Sequence, residues 1–483
     1  VTRADPTPDP AVAADAEGDD LDAIVTSTVA TSTVAITALS WWDDATVTAL
    51  RARTSTTTAT TLETTTGLVP AVVPLLPDRP RRSALRARML VPLGVLLVLV
   101  VGYAATMGLW PLGEVAPTVT AATVSAQPAA AASVTWPATG AAGVAVSGFG
   151  APVASTTAQS PIASITKVVT ALLVLDRSPV TASAQGIAFR FSYADNLEYW
   201  SYLRRNESAL DVPVGGSLTE YQMLQGMLIA SASNYAARLA GQWWPSDESF
   251  ASAANAWLAA RRITGITIAD PTGFDARNTA TPAALVRLAQ VAMDNPVIAE
   301  IVAQKQVTLP GAGTVTNTNE LLADPGVVGM KTGILDGYNV LAVKDVTVGG
   351  TTVQVQAAVL NQPDAKTRWT VARNLFAQVQ AQLQPTTAVA AGTVVGTVST
   401  AWGASVAVVA SSDADLVLWN AATPTATAQL TLGDDWAAGA AAGSVTVTGP
   451  VQATTVDAAL ADELDGPGLW WRITHPLQLL GVA

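Results

Sequence analysis

Ser164 and Lys167 stand three residues apart at the head of an apolar-periodic run, Ser160-Pro-Ile-Ala-Ser-Ile-Thr-Lys-Val-Val-Thr-Ala-Leu-Leu-Val-Leu175. On a helix, positions i and i+3 share a face about one turn apart, so hydroxyl and amine can meet. A lysine ammonium is a poor base, but desolvation or a neighbouring cation lowers its pKa until it accepts a proton from serine. Ser-x-x-Lys is therefore a nucleophile with its own base and needs no histidine. At a helix N-terminus, free N–H groups and the dipole also favour negative charge developing at Ser164. The spacing alone equally describes an ordinary surface helix. Scarcity sharpens the reading, because the chain has five lysines in 483 residues.

A second of those lysines lies in Val328-Gly-Met-Lys-Thr-Gly333, where a strand is expected to begin. Lys331 offers positive charge for a substrate carboxylate, Thr332 a hydroxyl, and Gly333 room for a ligand backbone to approach. Between the two lysines, Leu228-Ile-Ala-Ser-Ala-Ser-Asn-Tyr-Ala-Ala237 interrupts two apolar helical stretches with polar residues. That suits a loop presenting Ser231 to the same cleft.

Composition removes several alternatives. A net charge of −12, with no basic stripe, argues against a nucleic-acid partner. The absence of cysteine rules out disulfides, thiolate zinc sites and cysteine nucleophiles. A single histidine, His475 in Thr-His-Pro, excludes His-rich metal sites and argues against a Ser-His-Asp triad; a structural role is expected for it. No metal or cofactor is expected.

The elements that must hold these residues follow from the pattern along the chain. Residues 1–88 are rich in Thr, Ala, Pro and Asp and read as a largely disordered cytoplasmic tail, with a hydrophobic patch at Ile36–Leu50. Residues 89–112 are uncharged and apolar, long enough for a bilayer that needs about 20 residues. Arg79, Arg81, Arg82, Arg86 and Arg88 precede the run, which predicts an uncleaved anchor with the N-terminus inside. Residues 113–135 read as a linker. From 136 to 386 the pattern is globular: strands around Val144–Val153, a capping box at Ser217-Leu-Thr-Glu220, a helix start at Thr281-Pro282, a hairpin over Leu341–Leu360 about Gly349-Gly350, and a helix over Arg368–Leu383. Residues 387–483 read as a small β-rich domain. Within it Ala391-Gly-Thr-Val and Ala442-Gly-Ser-Val hint at a duplicated unit, and Gly468–His475 is expected to pack on that domain or touch a surface.

The Ser164 motif, the Ser231 segment and the Lys331 motif together resemble the serine penicillin-recognising enzymes, which carry Ser-x-x-Lys, Ser-x-Asn and Lys-Thr-Gly in that order. Within them the chain is similar to the low-molecular-weight D-alanyl-D-alanine carboxypeptidases. Pro161–Asp176, Gly215–Ala237, Asp270-Pro-Thr-Gly-Phe-Asp275 with Arg277-Asn-Thr279, and Asn317-Thr-Asn-Glu-Leu-Leu322 carry the likeness over about residues 136–385. The resemblance implies an α/β (α+β) fold of the penicillin-binding/β-lactamase type, an antiparallel sheet flanked by helices. It implies that Ser164 attacks the penultimate D-alanine carbonyl of a peptidoglycan stem peptide and Lys167 takes its proton. The backbone N–H groups of Ser164 and Ile334 would form an oxyanion hole, and Ser231 would pass a proton to the leaving amine. Lys331, Thr332 and Gly333 would receive the terminal carboxylate, with Arg368 a further candidate. β-Lactams would be covalent inhibitors, and the bacterial cytoplasmic membrane a partner through residues 89–112, leaving the catalytic domain outside.

Two departures stand out. The family's Ser-x-Asn reads Ser231-Ala232-Ser233, with Asn234 one residue later, and Ile334-Leu335 follow Lys-Thr-Gly where polar side chains are usual. The Ser233 departure motivates an alternative, a weakened or inactive relative that still binds peptidoglycan or β-lactam. A transpeptidase would share the same acyl-enzyme, whereas no deacylating Glu motif of a class A β-lactamase is seen between Ser231 and Lys331.

Overall fold

The valines on either side of Gly349-Gly350 pair as a hairpin in a computed structural model that describes residues 84–113 and 115–482. Both glycines have positive φ, +55° and +81°, as a tight turn between right-twisted strands requires. The hairpin strands, Tyr338–Val348 and Thr351–Gln362, are the middle of a five-stranded antiparallel sheet. Val327–Ile334 flanks them on one side, and Ala141–Val146 followed by Val153–Ala154 on the other. The expectations for residues 1–78, the tail and its Ile36–Leu50 patch, lie outside the described residues.

Strand periodicity explains why this sheet is apolar on both faces. Val340, Ala342, Val355, Ala357 and Val359 point to one side, where Trp369, Leu375 and Phe376 of helix Ala365–Gln382 cover them. Leu341, Val343, Ala358 and Leu360 point to the other, into a core shared with helices Thr166–Arg177, Glu220–Ile229 and Pro282–Met293. An antiparallel sheet between helices is the layered arrangement expected. Thr281 caps the last of those helices, accepting from Ala284 N–H, with Pro282 in its first turn.

Three local expectations are corrected. The capping box lies two residues beyond Ser217, with Thr219 as N-cap and Gln222 reaching back to it. Ser217–Thr219 instead pairs as a short strand with Ala188–Arg190. The segment read as a spacer is also structured: Thr118–Ala121 is the edge strand of the C-terminal sheet, paired with Val394–Ser399. A Thr/Val run of low charge has β propensity of its own, and here it finds an open sheet edge. Third, the two Ala-Gly segments are not equivalent, since Gly392 is in a turn and Gly443 in a strand bulge.

The C-terminal sheet has six antiparallel strands around a core of small residues and valines such as Val395, Val398, Val408 and Val445. The β-rich part meets the five-stranded sheet's layer closely: Val417, in a two-stranded ladder with Pro385–Val389, and Trp419 are buried in the core beneath helix Ala365–Gln382. One apolar helix, Ala84–Leu109, precedes it all; Arg88–Leu109 is long and apolar enough to cross a membrane.

Candidate active site

The Ser-x-x-Lys motif begins with strain. Ala163, immediately before Ser164, has φ +50°, a left-handed conformation that costs a non-glycine residue roughly 1–3 kcal/mol. A single 3-10 turn, Ala163–Ile165, then feeds into the helix Thr166–Arg177. The effect is to set Ser164 at the mouth of a helix whose next turns are wholly buried. The other two motifs are strained at the corresponding places: Ser231 itself has φ +64°, and Met330, before Lys331, φ +125°.

The Ser164–Lys167 contact expected from spacing is made. Lys167 Nζ lies 2.9 Å from Ser164 Oγ and donates to the carbonyl of Thr272 at 2.6 Å. Its side chain is completely buried, and that desolvation lowers its pKa from 10.5 to about 7 against the opposing pull of Asp270 and Glu207. At neutral pH a large share of Lys167 is therefore the free amine a general base must be.

Thr272 belongs to the Asp270–Asp275 loop, which Asp270 organises. Its carboxylate accepts from the N–H groups of Thr272, Gly273 and Asp275 and from Asn278 Nδ2. Asn278 Oδ1 in turn accepts from Ala269 N–H. Gly273, φ +82°, is packed directly behind Ser164: a Cβ there would overlap the carbonyl of Ala163 and lie 3.0 Å from Ser164 N. On the other side Gly333 faces the same backbone, where a Cβ would lie 2.6 Å from Ile162 O and 3.2 Å from Ser164 N. Glycine at 333 thus lets the strand press against the peptide of Ser164.

One cleft of about 270 Å³ brings together Ser164, Ser231, Thr332, Gly333, Ile334 and Arg368, with Ser208 and Thr318 completing its wall. Lys331 is wholly buried, with Nζ donating to the Thr332 carbonyl at 3.1 Å. Burial, then Lys167 and Arg368, drive its pKa well below that of an ordinary lysine. The Lys-Thr-Gly triplet occupies the second half of the strand Val327–Ile334, not its beginning. Arg368 is also buried, held by one bond from Nη1 to Asn339 O at 3.1 Å and stacked on Trp369. Its Nε has no hydrogen-bond partner, and no carboxylate among the described residues pairs with it or with Lys331. Burial lowers the Arg368 pKa to about 10. Two desolvated basic groups without a carboxylate partner among the described residues, Arg368 in the cleft wall and Lys331 buried beside it, suit an anionic ligand.

Ser233 does not join this wall. It sits in the first turn of helix Ser233–Ala240, its N–H donating to Ser208 O at 2.7 Å, and its hydroxyl bonds to no described residue. Asn234 does not substitute for the missing amide, because its side chain is spent on Leu210, donating to O at 2.8 Å and accepting from N at 3.1 Å. Together with Tyr235 Oη on Asp211 O, these bonds clip the loop carrying Ser208 to the helix.

Ser208 and Thr318 escaped the sequence reading. Nothing in the spacing around Ser208 marks it. Thr318 had a signal: it lies between Asn317 and Asn319, whose side chains pin their own loop by bonds to Val302 O, Gln304 O and the N–H groups of Asn319 and Leu321. So held, Thr318 Oγ1 lies 2.7 Å from Thr332 Oγ1 and orients that hydroxyl.

The chain is similar to known proteins over its central part. A family model described as D-alanyl-D-alanine carboxypeptidase matches residues 154–364. The curated D-alanyl-D-alanine carboxypeptidase DacB2 of Mycobacterium tuberculosis is 30% identical over 177 residues, 35% of this chain and 60% of that protein. The chain thus spans somewhat less than two thirds of that relative's length. Among solved structures, the Streptomyces K15 DD-transpeptidase is 24% identical with a TM-score of 0.45, covering 51% of this chain and 98% of the other. A D-alanyl-D-alanine carboxypeptidase from Mycobacterium tuberculosis is 26% identical with a TM-score of 0.44, over 53% and 96%.

Proposed function

Taking residues 154–364 as a D-alanyl-D-alanine carboxypeptidase domain, we propose that this protein removes the terminal D-alanine of peptidoglycan stem peptides through an acyl-enzyme on Ser164. The observation that carries the reading is the fully buried Lys167 amine 2.9 Å from the serine hydroxyl, at a cleft whose wall holds the buried Arg368 guanidinium. In the first step Ser164 Oγ gives its proton to Lys167 and bonds to the penultimate D-alanine carbonyl carbon. The oxyanion is received by the N–H groups of Ser164 and Ile334. The carbon–nitrogen bond then breaks, and Ser231 returns a proton from Lys167 to the departing amine, releasing D-alanine. Water hydrolyses the ester by the reverse proton route.

Substrate orientation comes from its terminal carboxylate, which Thr332, Arg368 and the Lys331 charge would receive. A bound carboxylate also favours protonated Lys331, whose burial otherwise disfavours the charge. β-Lactams, which present a carboxylate and a reactive carbonyl, would acylate the same serine. The apolar helix Arg88–Leu109 would anchor the chain in the bacterial membrane, the arginines before it keeping the N-terminus inside. The catalytic part, within residues 136–386, would then work on the outer face, joined to a β-rich part over residues 387–483.

The test is labelling with a fluorescent penicillin. Wild-type protein is expected to carry a covalent label and Ser164→Ala none; an unlabelled wild type sinks the proposal at its first step. Release of D-alanine from a stem pentapeptide then tests hydrolysis.

A second reading, a slow relative, is favoured by Ser233, whose hydroxyl does not reach the cleft wall. A lost hydrogen bond to charge is worth roughly 1.5–3 kcal/mol, one to two orders of magnitude in rate. Ser233→Asn is therefore expected to raise D-alanine release by about tenfold or more if the missing amide limits turnover. No gain would show that Ser233 is adequate and retire this second reading.

A further inference from the structure

The helix Tyr193–Arg204 ends in a turn that Asn206 makes possible. Asn206 takes φ +58°, a left-handed conformation that asparagine tolerates better than most residues. The chain then folds back on the helix. Asn206 N–H donates to Leu203 O and Glu207 N–H to Tyr202 O, both at 3.0 Å, the paired bonds of a Schellman end. That turn fixes two neighbours at once. Ser208 goes to the wall of the cleft, where its carbonyl accepts from Ser233 N–H, and Glu207 turns inward.

Glu207 is poorly placed for stability. Its side chain is 4% exposed, and it stands at the negative end of a helix, where a carboxylate is unfavourable. Its one side-chain hydrogen bond among the described residues comes from Arg205 Nε at 2.8 Å, and Arg205 is half-exposed. A cavity of about 350 Å³ connects this carboxylate to the surroundings of Lys167. Glu207, Arg205, Asp247, Asp270, Thr272 and Asp275 line it, and Thr272 O is the acceptor of Lys167 Nζ. Charged groups thus approach Lys167 from three elements: Asp270 from its loop, Glu207 from the helix end with Arg205 behind it, and Lys331 from its strand. Asp247 and Asp275 lie further round the same cavity.

We propose that Glu207 is a positioning residue for the reaction at Ser164, its buried carboxylate stabilising the Lys167 ammonium that forms when the amine takes the serine proton. This rests on the reading of Lys167 as general base. In that step the Oγ–H bond breaks, the proton passes to Nζ, and Oγ bonds to the substrate carbonyl carbon. A cation then stands on a wholly buried nitrogen, where charge is costly. The Asp270 carboxylate is already engaged by three backbone N–H groups and by Asn278. Glu207, with one half-exposed partner, is the less committed of the two. It need not touch Lys167 to act, because opposite charges several ångströms apart still attract strongly across a protein interior.

The test compares the full chain with Glu207→Gln, Glu207→Asp and Arg205→Gln, following the rate of fluorescent-penicillin acylation from acid to alkaline pH. Removing a carboxylate that favours the ammonium makes the free amine appear at lower pH. The rise in rate, centred at about 7 in the wild type, is therefore expected at a pH lower by roughly half a unit to one unit in Glu207→Gln. Glu207→Asp keeps the charge and should restore most of the wild-type midpoint. Arg205→Gln removes the cation that offsets Glu207 and should move the midpoint upward, an independent reading should Glu207→Gln fold poorly. A loop that merely carries Ser208 would change the rate at every pH and leave the midpoint in place. Unmoved midpoints beside a wild-type rise near 7 overturn the role of Glu207 and leave Lys167 as the base. A wild type that labels equally at all pH, or not at all, overturns the base reading and this inference with it.

Discussion

Replacing Lys167 with methionine is expected to slow acylation of Ser164 by roughly 10²–10⁴-fold, the usual contribution of a positioned general base. Methionine fills most of the same buried volume but cannot accept the serine proton. Circular dichroism should show the fold retained, so the loss reads as chemistry. The wild-type pH profile makes the same point without a mutation. With a pKa of about 7, Lys167 is increasingly protonated below neutrality and a free amine above it. The rate of penicillin acylation is therefore expected to climb with pH through about 7 and then level off. A rate flat from acid to alkaline pH, or a Lys167→Met variant that acylates normally, would remove Lys167 as the base.

The same shift bears on stability, with a definite sign. An unfolded lysine holds its proton up to about 10.5, whereas folded Lys167 releases it near 7. Between those values the unfolded chain binds more protons, so this group makes the fold more stable as pH rises through that window. The contribution is lost as pH falls through 7. Burying the base thus weakens the fold on the acid side, where the amine would have to be charged.

Gly273→Ala is the second large effect, and it acts on the nucleophile without touching its side chain. The new Cβ would collide with the Ala163 carbonyl and crowd Ser164 N in a backbone already at φ +82°. Strain of roughly 1–3 kcal/mol for the conformation adds to about 1–3 kcal/mol for overpacking. A loss of about 2–6 kcal/mol in unfolding free energy is expected from those two sources, with penicillin labelling falling alongside it. Gly150→Ala is the matching control, because Gly150 has the same φ of +82° with nothing within 4 Å of its Cβ position. That variant should lose only the conformational part, about 1–3 kcal/mol, and label normally. Equal effects from the two substitutions would mean that Gly273 does not support the Ser164 peptide.

Local chemistry was legible in the chain because it depends on local geometry. The meeting of Ser164 with Lys167 needs only helical spacing, the Gly349-Gly350 hairpin needs only turn residues between alternating valines, and Thr281-Pro282 starts a helix on its own terms. Gly333 could be read as a place of close backbone approach, and the structure shows what approaches: the peptide of Ser164. The capping box at Ser217 was misplaced by two residues because Ser217-Leu-Thr-Glu220 and Thr219-Glu-Tyr-Gln222 both fit the pattern. Pairing of Ser217–Thr219 with Ala188–Arg190 chose between them.

By itself, the sequence determined the Ser164–Lys167 pair and the order of the motifs, since residue type and short spacing are enough to define them. Tertiary structure alone decided whether those groups have the right properties. Complete burial lowers the Lys167 pKa, and that burial is made by elements far along the chain, including Thr272, 105 residues away. Arg368 becomes a cleft residue because its helix packs across the sheet and leaves Nε unpaired. Ser208 and Thr318 reach the cleft through loops tied down by Asn234, Asn317 and Asn319, and Ser233 is kept from it by the same fold. Spacing can place two residues on one turn of helix, but only the packed chain removes water from around them.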